Sequence, residues 1–310
     1  MAARPRASRA LIAWAAVAAV AAAPAPSAVQ DPVFRAAVDT VRVDVSVTRG
    51  NQPVTGLTAG QFEVDDNGVP QTVTSATRED VPLRLLLALD TSSSLAGESL
   101  PALIDAASAL VAALRPDDEV GLLTFDQRIR IAVAPTTAHD DVVAELRTLR
   151  AGGTTAWRDA LFAALQLVGD GGTSRPVVLL FTDGADTASW IGAEHIVEAV
   201  RRSGVVVHGI GLEEPPGWLG DGSSRPIGRT GVSLSLRRAV AAGGGRRWEA
   251  SSPRAISQLF ATALDELRAR YLITYSPAAP VTEGWHEVKV RVKGLRAEIT
   301  ARPGYFVAPK

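Results

Sequence analysis

Leu83-Arg84-Leu85-Leu86-Leu87-Ala88-Leu89-Asp90-Thr91-Ser92-Ser93-Ser94 is the stretch whose reading settles the architecture of this chain. A run that is almost wholly apolar needs cover on both faces, as a central strand of a parallel sheet has it. The run then stops at a carboxylate followed by hydroxyls. A bare Asp at the end of a buried strand is costly unless something partners it. Asp90, Ser92 and Ser94 are spaced by two, so an extended segment leaving the strand turns all three to one side, whereas a helix would separate them.

Downstream, buried-strand runs alternate with helical periodicity. Leu100, Leu103, Ala107, Leu110, Val111 and Leu114 recur at three- and four-residue spacing, as the core face of a helix requires. Strands are predicted over 119–125, 129–133, 177–181 and 205–210, and helices near 142–149, 156–168 and 193–202, with a weaker one after Ser233. A last helix carries Ile256, Leu259, Phe260, Ala263, Leu264 and Leu267. This alternation predicts an α/β domain over 81–269: a doubly wound, mostly parallel, Rossmann-like sheet with helices on both faces. Gly243-Gly244-Gly245 reads as a helix stop, since no Lys-Ser/Thr follows to make a phosphate loop.

Both ends change to a period of two. Val41, Val43, Val45 and Val47 alternate with Arg42, Asp44, Ser46 and Thr48, and Val288, Val290 and Val292 alternate with Lys289, Arg291 and Lys293. Phe62-Glu63-Val64 leads into Asp65-Asp66-Asn67-Gly68, a tight hairpin turn, after which 71–77 resumes the alternation. Segments 29–80 and 270–310 are each too short to bury a face alone, so they are expected to pack together as one small β-rich region, in the form of a β-sandwich, beside the α/β domain.

In α/β sheets, binding groups gather beyond the carboxyl ends of the strands. That edge receives Asp90, Ser92 and Ser94 from one strand and Asp183 of Thr182-Asp183-Gly184 from another. Gly152-Gly153-Thr154-Thr155 enters from the loop before a helix. Two carboxylates and three hydroxyls are hard oxygen donors, with no imidazole or sulfur among them. They suit Mg2+, Mn2+ or Ca2+ and leave room for an Asp or Glu from a partner.

Composition narrows the classes. The chain has 310 residues, 46% apolar and 21% charged, with a net charge of −1, so nothing in it forms the basic, aromatic stripe of a nucleic-acid binder. Without cysteine there is no disulfide, thiolate metal site or cysteine nucleophile. Arg4, Arg6 and Arg9, the apolar run 10–23 and the Pro/Ala/Ser stretch 24–28 follow the order of a secretory signal peptide over 1–28, with an uncleaved membrane anchor as the alternative. The expected location is therefore periplasmic or secreted.

At this point the residues resemble a known family. Asp90-x-Ser92-x-Ser94, a distal Thr and Thr182-Asp183-Gly184 are similar to the signature of von Willebrand factor A (VWFA) domains that carry a metal-ion-dependent adhesion site (MIDAS). The Thr is Thr154 or Thr155; Thr155 fits the register to Asp159-Ala160-Leu161 and is preferred. Gly56-Leu57-Thr58, Phe62-Glu63-Val64, Gly68-Val69-Pro70 and Arg302-Pro303-Gly304-Tyr305 extend the likeness to bacterial, Acidobacteria-type VWFA-related proteins across 33–307. Trp157-Arg158 departs from the Leu-Tyr usual there. The resemblance implies metal-dependent binding of a protein partner. Ser92, Ser94 and Thr155 would coordinate through hydroxyls, and Asp90 and Asp183 directly or through water.

Segment 212–229 is rich in Pro and Gly and carries Trp218, a candidate partner contact on the metal-bearing edge. An enzyme finds little support, since none of His139, His195, His208 and His286 has an evident place beside Ser92 or Ser94. A structural protein whose metal only braces loops is the other reading.

Overall fold

The structure, a computed structural model, describes residues 40–50, 52–78, 81–169, 172, 174–183, 186–212, 234–278 and 281–307. The expected signal peptide and Trp218 lie outside these residues. Among the described residues no helix is long and apolar enough to cross a membrane.

The chain opens with β1 (Val41–Arg49), β2 (Gln52–Pro53), β3 (Phe62–Asp66), β4 (Val69–Gln71) and β5 (Val73–Thr77). The α/β part follows with β6 (Leu83–Asp90), α1 (Ser99–Ala112), β7 (Glu119–Phe125), β8 (Ile129–Thr136), α2 (His139–Leu146) and α3 (Trp157–Val168). It continues with β9 (Arg175–Phe181), α4 (Ala193–Ser203), β10 (Val206–Leu212), α5 (Leu234–Ala242), β11 (Arg247–Ala250) and α6 (Ala255–Ala269). The strands β12 (Tyr271–Tyr275), β13 (Gly284–Val292), β14 (Glu298–Ala301) and β15 (Gly304–Val307) complete the chain.

The central sheet runs β11-β10-β9-β6-β7-β8, parallel throughout except for the antiparallel edge strand β8. β6 sits inside it, so its residues serve two cores in alternation. Leu85, Leu87 and Leu89 pack with α1, α2 and α6, while Leu86 and Ala88 pack with α3, α4 and α5. All five are wholly buried. Each such leucine contributes about 1.5–3 kcal/mol relative to exposure, and the one polar residue before Asp90 is the half-buried Arg84 near the start of the strand, paired with Glu119. The doubly wound sheet expected from the sequence is the fold observed. β11 is the element the sequence reading lacked, since four residues holding Arg247 and Glu249 show no apolar run.

The chain ends do meet. One antiparallel sheet has the order β14-β1-β12-β5, with β2 on β1, and a second has the order β15-β13-β3-β4. Val43, Val45, Phe62, Val64, Tyr271, Ile273, Val288 and Val292 fill the core they share, as in a sandwich. The hairpin turn stands where expected, with Asn67 at φ 49° and Gly68 at φ 79°. Segment 71–77 is not one continuous strand, however: Gln71 pairs with β3 in one sheet, while Val73–Thr77 pairs with β12 in the other.

A polar seam joins this lobe to the α/β part. Asp44 of β1 receives Arg175 Nε at 2.8 Å on one oxygen and Arg270 Nε at 2.5 Å on the other. Arg270 is fully buried and also donates to the Gly244 carbonyl at 2.7 Å.

Candidate functional site

The carboxyl end of β6 delivers Asp90 into an environment that takes water away without supplying a cation. Asp90 is 0% exposed. One carboxylate oxygen accepts the Ser92 backbone N–H at 2.8 Å, and the other accepts the Thr182 hydroxyl at 2.6 Å. Among the described residues no Lys, Arg or His forms an ion pair with it. Burial pushes its carboxyl up to about 6, more than the hydrogen bonds from Ser92 and Thr182 pull it down, and the charge of Asp183 adds to the rise.

Beyond Asp90 the chain does not stay extended. Ser92 is extended at φ −62° and ψ 163°, but Ser93–Leu95 closes a 3-10 turn, with the Leu95 N–H on the Ser92 carbonyl at 3.1 Å. Leu95 drives the turn, because its side chain enters the core and is wholly buried. The convergence expected from spacing is reached by this tighter route. Ser92 Oγ and Ser94 Oγ lie 3.0 Å apart, and the Ser94 hydroxyl donates to Asp183 Oδ1 at 2.9 Å. Neither serine caps a helix: Glu98 is the N-cap of α1, and no side-chain bond caps the turn.

Segment 152–155 is stitched to the same edge. The Gly152 N–H donates to the Thr91 carbonyl at 2.8 Å, and the Ser93 N–H and hydroxyl both reach the Gly153 carbonyl, at 3.0 and 2.9 Å. Gly153 has φ +81°, and a Cβ there would stand 2.3 Å from Gln127 Oε1, so only glycine fits. The two threonines differ. Thr154 is exposed, and its N–H is held by Gln127 Oε1 at 2.8 Å. Thr155 is buried, with its carbonyl taking the N–H groups of Thr187 and Ala188 at 2.9 and 3.0 Å. Its hydroxyl has no hydrogen-bond partner among the described residues. Asp90, Ser92, Ser94 and Asp183 are thus linked directly by hydrogen bonds, while Thr155 joins them through its backbone segment.

Two features escaped the sequence reading. Thr182, wholly buried, is the hydroxyl donor to Asp90; it was legible as part of Thr182-Asp183-Gly184, but nothing assigned it that bond. The loop after Asp183 is held by Asp186, whose oxygens accept the Arg158 guanidinium and N–H and the Ser189 N–H and hydroxyl at 2.7–3.0 Å. Burial raises the Asp186 carboxyl, but the bonds from Arg158 and Ser189 outweigh it and hold it below its ordinary range. Arg158, unusual by resemblance, is therefore the ion partner of that loop.

Among the described residues no three His, Cys, Asp or Glu side chains group as a metal site. The set here has two carboxylates and is otherwise built of hydroxyls. Its chemistry fits a hard dication: a buried carboxylate lacking positive charge, a second carboxylate beside it, and hydroxyls that add oxygen without further charge. The four histidines are placed by other contacts or elements. His139 bonds the Asp118 carbonyl, His208 accepts the Arg246 N–H, His286 meets Asp66 and Thr282, and His195 sits on α4 beside Gly192.

The von Willebrand factor type A domain family matches residues 85–185, the span from β6 to the loop after Asp183. The chain carries a VWA-type domain. Proximal thread matrix protein 1 of the mussel byssus, in a structure with a zinc-occupied MIDAS motif, is 19% identical at a TM-score of 0.50, over 61% of this chain and 48% of that one. A von Willebrand factor type A structure from Catenulispora acidiphila is 13% identical at a TM-score of 0.48, over 85% of this chain and 71% of that one. An aerotolerance-related membrane protein from Bacteroides fragilis is 18% identical at 0.45, over 59% and 99%. At such identities the likeness speaks of the VWA fold alone. No curated protein sequence matches the chain.

Proposed function

We propose that the VWA-type domain is a non-enzymatic binding module. In this reading it holds one divalent cation, Mg2+ or else Mn2+ or Ca2+, on Asp90, Ser92, Ser94, Thr155 and Asp183, and receives an Asp or Glu from a protein partner in an adhesion-type contact. The observation that carries the reading is Asp90: a wholly buried carboxylate with hydroxyl and N–H partners and no cation among the described residues. A bound dication would supply the missing positive charge and act as the acceptor for a carboxylate from outside. The chain's own residues do the rest. Thr182 and the Ser92 N–H fix Asp90, the Ser93–Leu95 turn aims Ser92 and Ser94, and the Gly153 crossing sets Thr155 at the same edge. Thr155 is preferred to Thr154 because it is buried with an unengaged hydroxyl, whereas Thr154 is exposed and held by Gln127. The mussel protein's zinc-occupied motif supports a cation at this place in the fold. The arginine-led apolar N-terminus supports action outside the cytoplasm, in the periplasm or beyond it.

The test is calorimetry with Mg2+ and Mn2+ on the whole, metal-stripped chain beside Ser92→Ala and Thr155→Val, each checked for folding by circular dichroism. Wild type is expected to bind one ion, and each variant to lose at least about tenfold in affinity, as loss of a ligand or of its support does. A metal-stripped wild type that takes up neither ion sinks the reading.

A further inference from the structure

A groove of about 500 Å3 is walled by the first turns of α1 and by segment 147–151, which follows α2. Its lining is mostly apolar, and the reason lies in the apolar stripe of α1. Leu100 and Ile104, four residues apart, share one face of that helix. Leu100 belongs to the core, Ile104 only packs against it, and Pro101 stays exposed. Leu149 closes the other wall and is buried. A concavity of this size, apolar with a few polar groups, has the make-up of a ligand site. The charged groups in its lining are Arg147, Arg150 and Asp105. Arg150 Nη1 donates to the Thr148 and Leu149 carbonyls at 3.2 and 2.7 Å, which holds the guanidinium in place without neutralising it. Among the described residues neither arginine pairs with a carboxylate. Two arginines against one aspartate leave the groove net positive.

The groove adjoins the candidate site through the chain itself. Ala96, in its lining, lies two residues from candidate ligand Ser94, so their Cα atoms are within about 7.6 Å of each other. The Ala96 N–H also donates to the Ser93 carbonyl at 3.2 Å. Ala151, in the same lining, directly precedes Gly152, whose N–H is held by the Thr91 carbonyl. At Gly97 and at Gly152 a Cβ would meet no atom within 4 Å, so the surface is open at both crossings. We propose that this groove docks a segment of a protein partner that carries an aliphatic side chain next to a carboxylate. The side chain enters among Leu100, Pro101, Ile104 and Leu149, and the carboxylate meets Arg147 and Arg150. Burial of apolar surface drives the docking, and the guanidiniums select the charge beside it. The groove uses no cation of its own; only its service to the same partner rests on the metal-dependent reading above.

The test uses the whole chain in chelator and three dye-labelled, end-blocked peptides of equal length in a glycine–serine background. One carries leucines beside aspartates, one leucines beside lysines, and one aspartates alone. Anisotropy is read on wild type, on Ala96→Trp, which fills the groove, and on Arg147→Glu with and without Arg150→Glu. All three positions are exposed, and folding is checked by circular dichroism. The leucine–aspartate peptide is expected to bind wild type at least about tenfold more tightly than either of the others. Ala96→Trp should reduce it to the level of the aspartate peptide. Arg147→Glu should weaken it, and the double variant should turn the preference toward the lysine peptide. Where the double variant does not fold, Arg147→Glu alone decides. Equal binding of the two leucine peptides by wild type, binding of none of the three up to about 1 mM, or a preference that survives Ala96→Trp overturns the proposal. Mg2+ is then added back. A preference that stands with and without it belongs to the groove, whatever becomes of the metal reading. A preference that appears only with Mg2+ assigns the carboxylate to the cation and overturns the arginine contact.

Discussion

Asp44 and Asp90 are both strand aspartates taken out of water, one at the seam between the β lobe and the α/β part and one at the sheet edge. Asp44 has a guanidinium on each oxygen, Arg175 and Arg270. Asp90 has a hydroxyl and an N–H. The first arrangement is electrostatically complete and closes a joint within the molecule. The second leaves a negative charge that the protein itself does not balance, and its carboxyl rises to about 6 in consequence. The difference teaches how to sort buried carboxylates: one with its cation already in place holds the fold together, and one without it carries a cost of burial that the dication proposed above would offset.

The largest effect is expected at the seam. Asp44→Ala leaves the fully buried Arg270 with Glu266, at 3.7 Å, as its remaining carboxylate and leaves Arg175 with none among the described residues, so stability should drop by about 3–5 kcal/mol in urea unfolding. A loss well under about 1 kcal/mol would show that the arginines do not depend on Asp44, and the comparison would break.

At the sheet edge the sign should reverse. The fold raises the Asp90 carboxyl from 3.8 to about 6, so bearing the charge is a cost that is present above that range and relieved as pH falls through it. Asp90→Asn in chelator near neutral pH is expected to stabilise the chain by about 1–2 kcal/mol while removing Mg2+ binding in calorimetry. A destabilised Asn variant would mean that Asp90 serves the fold as Asp44 does.

The smallest effect concerns His208, buried on the seam side. Burial, and then the charge of Arg270, hold its imidazole well below the usual 6.5. The unfolded chain takes up that proton first, so stability should be full above about pH 6.5 and fall as pH drops below it, by at most about 1.4 kcal/mol per pH unit. Urea midpoints between about pH 7 and 5, measured in an Asp90→Asn background to remove the opposite slope of Asp90, should flatten in His208→Gln.

The sheet was legible because β6 is apolar from Leu85 to Leu89 and the helices repeat at their own period. Asp90, Ser92, Ser94 and Asp183 were legible because the carboxyl end of a parallel sheet collects what its strands end on. The means of their convergence was not legible, since a two-residue spacing does not reveal that Leu95 will pull the chain into a turn. Nor was the pairing of Asp44 with Arg175 and Arg270, because residues so far apart in sequence meet only once the sheets are built. The exposure of Trp190 was not legible either, because the sequence does not show which tryptophan a fold leaves uncovered, and Trp218 lies outside the described residues.

β1 leaves a ribosome before any of its strand partners. Apart from the two residues of β2, its partners come late: Val41 sits opposite Tyr275 and Val45 opposite both Tyr271 and Ala301, so most of the first strand waits for the whole α/β part to be synthesised before it can pair. Until then its unpaired backbone groups and its face of valines stay open to other strands. A product cut short after α6 would keep that edge exposed however well its central sheet had formed. The long sequence separation of these pairings therefore makes β1 the strand whose order depends most on what is translated after it.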